Sequence, residues 1–289
     1  MNTNEFIEFK QERDVGTMIS DAFKFLKEEG KPFFTTIIKI SLVPIILAIA
    51  STFYFFLNMS DFFSVVFLLD NTESYQGQSI NFGVFFISLG VLLIFYLIAY
   101  VMINASAMYY IKSYTDNQGK IDYDYIKNMT MHKFWSFIAL YIVSGIIIFT
   151  GTLFCFFPGI YLGIVLSLSS CILVFFEKEA MDAIGGSFAF IKGHWWNTFG
   201  ILIVIGLIVW CLSLITQLPA IIYQLTQMGS LSFDASNPME MMNLYKDPIY
   251  LTLTAFSEVI KFFLVPITLI VTVFIFFDIN EQEKQGSYQ

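Results

Sequence analysis

The chain has 289 residues, of which 57% are hydrophobic and only 13% charged, with a mean hydropathy of +0.71. That balance lies outside the range of soluble domains, and a net charge of -8 offers no concentrated basic surface for nucleic acid. Several windows of 18 or more residues lack charge, the length needed to cross a hydrocarbon core of ~30 Å at ~1.5 Å per residue, so the chain reads as an all-α integral membrane protein.

The first 31 residues hold twelve charges, seven of them acidic, and lack the apolar run of a secretory signal. Residues 1–13 read as a loose polar lead. From Asp14, the residues Val15, Met18, Ile19, Ala22, Phe25 and Leu26 recur at helical spacing, with Asp21, Lys24, Lys27 and Glu28 around the rest of the helix. This predicts an amphipathic helix lying in the interface plane, ending near Gly30, with Pro32 as a break. A first span follows over 33–57, carrying Lys39 and a kink at Pro44. The polar loop 58–79 holds Asp61, Asp70 and Glu73; its apolar stretch 62–69 is too short to cross and is expected to dip into the interface. The second span covers 80–103, with its helix continuing to Tyr110.

Tyr123, Ile126 and Met129 mark a weaker amphipathic helix that ends at His132-Lys133-Phe134-Trp135. The third span, 134–154, is expected to reverse at Phe157-Pro158-Gly159 into the fourth, 159–176. Helix 177–192 begins with Glu177, Glu179 and Asp182 and ends with Lys192, as a helix dipole favours, with Met181, Ile184, Phe188 and Ile191 as its apolar face. The fifth span runs from the corner Lys192-Gly193-His194-Trp195-Trp196 to about 218. A long loop over 222–247, Met-rich at Met239, Met241 and Met242, precedes a last helix with Pro248 in its first turn and an end near Phe277. A short polar tail is expected from Asp278. Cys155, Cys171 and Cys211 share no CxxC spacing and read as buried, inert thiols.

Lys and Arg number five over 1–32, four over 112–133, two over 177–194 and one in the tail, against Lys246 alone in the opposite loops. The asymmetry predicts six spans with both termini and three amphipathic helices in the cytoplasm. Three corners, at Phe33-Phe34, Phe134-Trp135 and Trp195-Trp196, each open a span that returns through a hairpin. We therefore expect one polytopic domain, 1–289, built from tandem units 14–111, 122–176 and 177–278, each an interfacial helix plus a helical hairpin.

Several residues are candidates for a role. Phe33, Phe34, Phe134, Trp135, Lys192, His194, Trp195 and Trp196 suit headgroup-level anchoring, with contact to anionic lipid as the functional version. Gly159, Gly163, Ser167 and Cys171 stand four apart, a small-residue ridge for close helix packing within this chain or with a second protomer. Lys39, Glu258 and Lys261 are ionisable residues in or beside spans. Lys39 can snorkel to the interface; Glu258 and Lys261, three apart, can pair on one helix face. They sit at the outer interface if the hydrocarbon begins near Lys261, and close to mid-membrane if it begins near Tyr250. No P-loop, GxSxG or HExxH motif is present, and no metal or cofactor is expected.

At Phe157-Pro158-Gly159-Ile160-Tyr161-Leu162, then at Ala183 and the run from Ser187 to Trp196, the chain resembles the membrane domain of some bacterial glycerophosphodiester phosphodiesterases and related stand-alone membrane proteins of unknown role. The detailed match covers roughly 50 residues. The resemblance implies a six-span domain in a bacterial cytoplasmic membrane. In the fused enzymes it implies a soluble catalytic domain beyond the membrane part; that domain is expected to be absent here, so no catalytic residue transfers. The family's acidic-apolar-basic ending appears only as Asp278-Ile279-Asn280. The sequence thus reads as a non-enzymatic scaffold or accessory subunit of a membrane complex, touching lipid and a protein partner or a second copy of itself. The alternative is a transporter or channel for a small solute or ion, which a polar mid-membrane cavity lined by Lys39, Glu258 or Lys261 would favour.

Overall fold

Long runs of Leu, Ile, Val and Phe leave the backbone no hydrogen-bond partner in lipid but itself, and helix is the answer the chain adopts. The computed structural model describes residues 6–68, 82–228 and 244–286. In chain order these form α1 (Val15–Leu68), α2 (Phe82–Asp116), α3 (Tyr123–His132), α4 (Phe134–Phe154), α5 (Phe156–Ser167), α6 (Ser169–Phe175), α7 (Ala180–Phe190), α8 (Trp195–Met228) and α9 (Pro248–Gly286). Six stretches of helix among the described residues, with α5 and α6 together making one, are long and apolar enough to cross a membrane. The fold is all-α, and the chain is a multi-pass membrane protein.

Several expected boundaries move. The helix begun at Val15 does not stop near Gly30 but continues through Pro32 and Pro44 to Leu68. Proline deletes one backbone bond and crowds the preceding turn. Here Phe25, two turns before Pro32, and Phe33, directly after it, are both fully buried, and their packing holds the helix together. Residues 58–68, expected as loop and interfacial dip, extend the same helix; Asp70, Glu73, Met239, Met241 and Met242 lie outside the described residues. Residues 222–228 likewise belong to α8 rather than to a loop.

Between α4 and α5 the chain reverses at Cys155, whose backbone is extended (φ -167°, ψ 149°), and not at 157–159. Pro158 occupies the first turn of α5, where its missing N–H costs nothing. Gly159 serves the close approach: a Cβ there would stand 3.0 Å from Thr152 Cα. The helix expected over 177–192 is only Ala180–Phe190. Glu177 instead takes a left-handed conformation, φ +55°, just past the end of α6.

The chain divides into two compact units. The first comprises Met1–Ser41, Tyr100–Trp210 and Phe263–Gln289; the second comprises Leu42–Ala99 and Cys211–Phe262. The core of the first is aromatic: Phe9 stacks on Phe274 at 4.3 Å, Phe25 meets Tyr114 at 5.2 Å, and Phe33 meets Tyr110 at 5.0 Å. The N-terminal lead is therefore not loose. Ile7, Phe9 and Arg13 are buried, and Lys10 pairs with Asp116 at 3.3 Å. Arg13 donates from its backbone N to Asp278 (2.8 Å) and from Nε to Asp21 (2.8 Å), and its guanidinium lies 4.6 Å from the Phe274 ring centroid. Asp278 is buried inside α9 and does not open a tail.

The second unit is built from the second half of α1, the first half of α2, the second half of α8 and the start of α9. Phe62 stacks on Phe85 at 4.2 Å, and Tyr96 meets Phe262 at 5.5 Å. Asp247 caps α9: Ile249 N and Tyr250 N donate to its Oδ1 at 2.8 and 3.0 Å, while Tyr223 OH donates to its Oδ2 at 3.1 Å. With Pro248 next in line, the start of α9 is the Asp-Pro entry that helix N-termini favour.

A candidate polar cleft in the second unit

The strongest chemistry in the described chain lies where α1, α2, α8 and α9 meet within the second unit. Glu258 and Lys261 share one face of α9, and Lys261 Nζ donates to Glu258 Oε1 at 2.7 Å. Tyr96, from α2, donates its hydroxyl to the other carboxylate oxygen, Oε2, at 3.0 Å. Thr52 Oγ1, from α1, stands 3.4 Å from that tyrosine oxygen. Ser257 reaches the Thr216 carbonyl of α8 at 2.7 Å, which ties α8 to α9 beside the pair.

Between α8 and α9, Ser257, Glu258 and Lys261 border an open cavity of about 150 Å³ whose polar lining also includes Gln217, Gln224 and Tyr250. Both side chains line it, that of Glu258 19% exposed and that of Lys261 34% exposed. On the outside of the same helices, the side chains at this height are apolar and exposed. Leu93 and Ile94 lie beside Tyr96; Leu214, Ile215 and Leu218 flank Gln217; Phe256 adjoins Glu258. The unit is polar within and apolar without over one stretch of its helices, the reverse of a soluble bundle.

Lys39 does not join the pair. It belongs to the first unit, is exposed, and holds its ammonium 5.9 Å from the ring centroid of Tyr123 at the start of α3. The anchor residues also separate. Trp135 and Trp196 are 75% and 76% exposed. Phe33 is a core residue with no exposure, and Phe34 is half-buried against Phe33 and Phe263. Trp195 stacks on Tyr161 and Phe199 at 5.7 and 5.1 Å. Phe134 and His194 are half-buried and Lys192 exposed. Gly193, at φ +87°, makes the turn from α7 into α8, a conformation that favours glycine.

Of the small-residue ridge, Gly159 packs on Thr152 and Cys171 is buried with its thiol 3.8 Å from the Thr272 carbonyl. Gly163 faces open space, and the helix is interrupted at Leu168 between Ser167 and Cys171. Cys155 and Cys211 are exposed, not buried. Of the apolar face expected for α7, Ile184 and Ile191 are buried, but Met181 and Phe188 are exposed, and Ala180, Ala183, Ser187 and Phe190 are buried beside the two isoleucines.

The acidic residues before α7 do not serve its dipole. Glu177 accepts from Lys112 at 2.7 Å, and Glu179, the N-cap residue, accepts from Lys133 at 2.9 Å without capping the helix. The hydrogen bond and the charge of Lys112 hold the Glu177 carboxyl below its ordinary value, and Lys133 does the same for Glu179. Lys10, Lys112, Asp116, Glu177 and Lys284 rim a second cavity, in the first unit, floored by phenylalanines. Its charges are largely neutralised by one another.

Among the described residues no group of three or more His, Cys, Asp or Glu is arranged to hold a metal. No family model, curated protein or solved structure matches the chain.

Proposed function

We propose that this is a non-enzymatic multi-pass membrane protein that admits a small solute or ion to the polar cleft of its second unit and passes it across the membrane. One observation carries the reading. A carboxylate that accepts from Tyr96 and its paired ammonium line a cavity at the height where the outer faces of the same helices are apolar. Ionisable groups placed at membrane depth are expensive and mark solute or ion paths. That both termini lie in the cytoplasm is part of this proposal and rests on the Lys and Arg distribution; the three tandem units rest on the three aromatic corners, and the bacterial membrane on the resemblance alone. The test is flux into proteoliposomes holding the full chain, for ions and for small uncharged solutes. Rates that exceed empty liposomes and fall in Glu258→Gln support the reading; rates equal to those of empty liposomes for every solute sink it.

A scaffold role draws on a different observation. The tip of the α4–α5 hairpin projects Leu153, Phe154, Phe156 and Phe157, each at least 68% exposed. Exposed rings clustered at one tip suit a partner subunit. Loss of a copurifying protein on Phe154→Ser with Phe157→Ser, with the protein otherwise intact, supports that role; an unchanged set of copurifying proteins removes it.

A further inference from the structure

We infer that the cleft takes a small uncharged polar molecule, of the polyol or amide class, and not an ion. The inference rests on the cleft being a solute site, as proposed above, and goes on to name what fits it. Both oxygens of Glu258 already accept protein donors, from Lys261 at 2.7 Å and from Tyr96 at 3.0 Å. The carboxylate and the ammonium cancel, so the cavity presents no net charge to a guest. An ion entering a low-dielectric site without an opposite charge waiting for it meets a prohibitive desolvation cost. What the lining offers instead is amphoteric. The Gln217 amide spends one N–H on the Ser213 carbonyl and keeps the other together with its oxygen. The Gln224 amide and the Tyr250 hydroxyl, which meets Thr254, each donate and accept, and Lys261 keeps two N–H groups beyond the one spent on Glu258. Hydroxyls and amides in a guest match such a lining group for group.

Size narrows the class. At about 150 Å³ the cavity has the size that admits one benzene-sized molecule. A guest of about four to six heavy atoms, such as urea or glycerol, suits that space. Ala220 and Ile221 supply the apolar side of the cavity, against which the carbon backbone of a polyol packs.

The experiment has two arms on the purified full chain. In detergent, saturation-transfer NMR reads binding of glycerol and urea, with sodium acetate and tetramethylammonium chloride as charged probes of similar size. In proteoliposomes, stopped-flow light scattering reads glycerol and urea entry, and ion-selective electrodes read potassium and chloride. Transfer to glycerol or urea, absent for the charged probes and about tenfold weaker in Lys261→Gln, the loss of about one good hydrogen bond, is expected. Ala220→Leu, which fills the cavity without touching the charges, is expected to abolish the signal and guards against a misfolded charge variant. Binding of glycerol or urea without flux upholds the inference and overturns the transport reading. Ion flux without glycerol or urea binding does the reverse. No binding by any uncharged probe overturns the inference.

Discussion

Glu177 offers the sharpest test of the local structure, because its two possible placements predict opposite signs. In the first turn of a helix, Ala is preferred to Gly by about 0.5–1 kcal/mol. The structure instead puts Glu177 at φ +55°, past the end of α6, at the position where helices most often carry glycine. Both Glu177→Ala and Glu177→Gly lose the contact with Lys112, which is 2.7 Å long and joins a buried ammonium to a carboxylate whose side chain is 74% exposed. That common loss is about 1–2 kcal/mol, below the range for a fully buried pair because the carboxylate is hydrated. The two variants differ in the backbone. A left-handed residue with a Cβ costs about 1–2 kcal/mol, and glycine returns about 0.4–1 kcal/mol of this through the unfolded chain. Gly is therefore expected to be the more stable variant by about 0.5–1 kcal/mol. Paired thermal or denaturant melts of the two variants in one detergent read the difference directly. If Ala proves equal or better, Glu177 is not in the left-handed region and the account of this junction is wrong. Acid provides a second check. Because Glu177 is held below its ordinary value of 4.5, its contribution is complete above that value and disappears as pH falls through the lowered one. The stability gap between wild type and Glu177→Gln should accordingly close on acidification and not on going alkaline.

Two further predictions follow from packing. Gly159→Ala pushes a Cβ against Thr152 and should cost about 1–3 kcal/mol, whereas Gly163→Ala meets open space and should cost nothing measurable, as melts of each will show. Phe9→Ala should cost about 3–5 kcal/mol and Arg13→Ala about 3 kcal/mol; both release one N-terminal segment from Phe274, so the double variant should lose clearly less than their sum in the same melts.

Much of the fold could be read from charge-free runs alone. The bounds 134–154 of the third span coincide with α4, and Pro248 opens α9 as expected. What could not be read was which apolar residue faces where. In a soluble helix the apolar stripe is the buried one, but lipid is as apolar as a protein core, so the stripe no longer distinguishes inside from outside. That is why Met181 and Phe188, the large residues of α7, face out while Ala180, Ala183 and Ser187 are buried. The packed N-terminal segment was hidden for another reason. Ile7, Phe9 and Arg13 span too few residues to show a period, and their partners, Tyr114, Phe274 and Asp278, lie over a hundred residues away. The cleft was legible only in half. Glu258 and Lys261 stand out as charges in an apolar helix, but Thr52 and Tyr96 are ordinary residues until the fold sets them beside Glu258, 162 positions from Tyr96.

The pair also has to be weighed as a device for stability, and as such it is a poor one. Taking a carboxylate and an ammonium out of water costs several kcal/mol per ion, which their attraction and hydrogen bonds only about offset. Replacing both at once by apolar residues of similar volume, Glu258→Leu with Lys261→Met, should leave the protein as stable as wild type or more so, by up to about 4 kcal/mol. Replacing Lys261 alone strands the carboxylate with only the Tyr96 hydroxyl as donor. That should cost about 3 kcal/mol, the low end for a broken buried pair because Glu258 still borders the cavity. Melts of the double and single variants, set beside glycerol binding, separate the two roles. A double variant that is stable yet no longer binds glycerol makes the pair a site kept at the expense of stability. A double variant that falls apart makes it a structural clasp, and the cleft then loses the argument that a solute is what it is for.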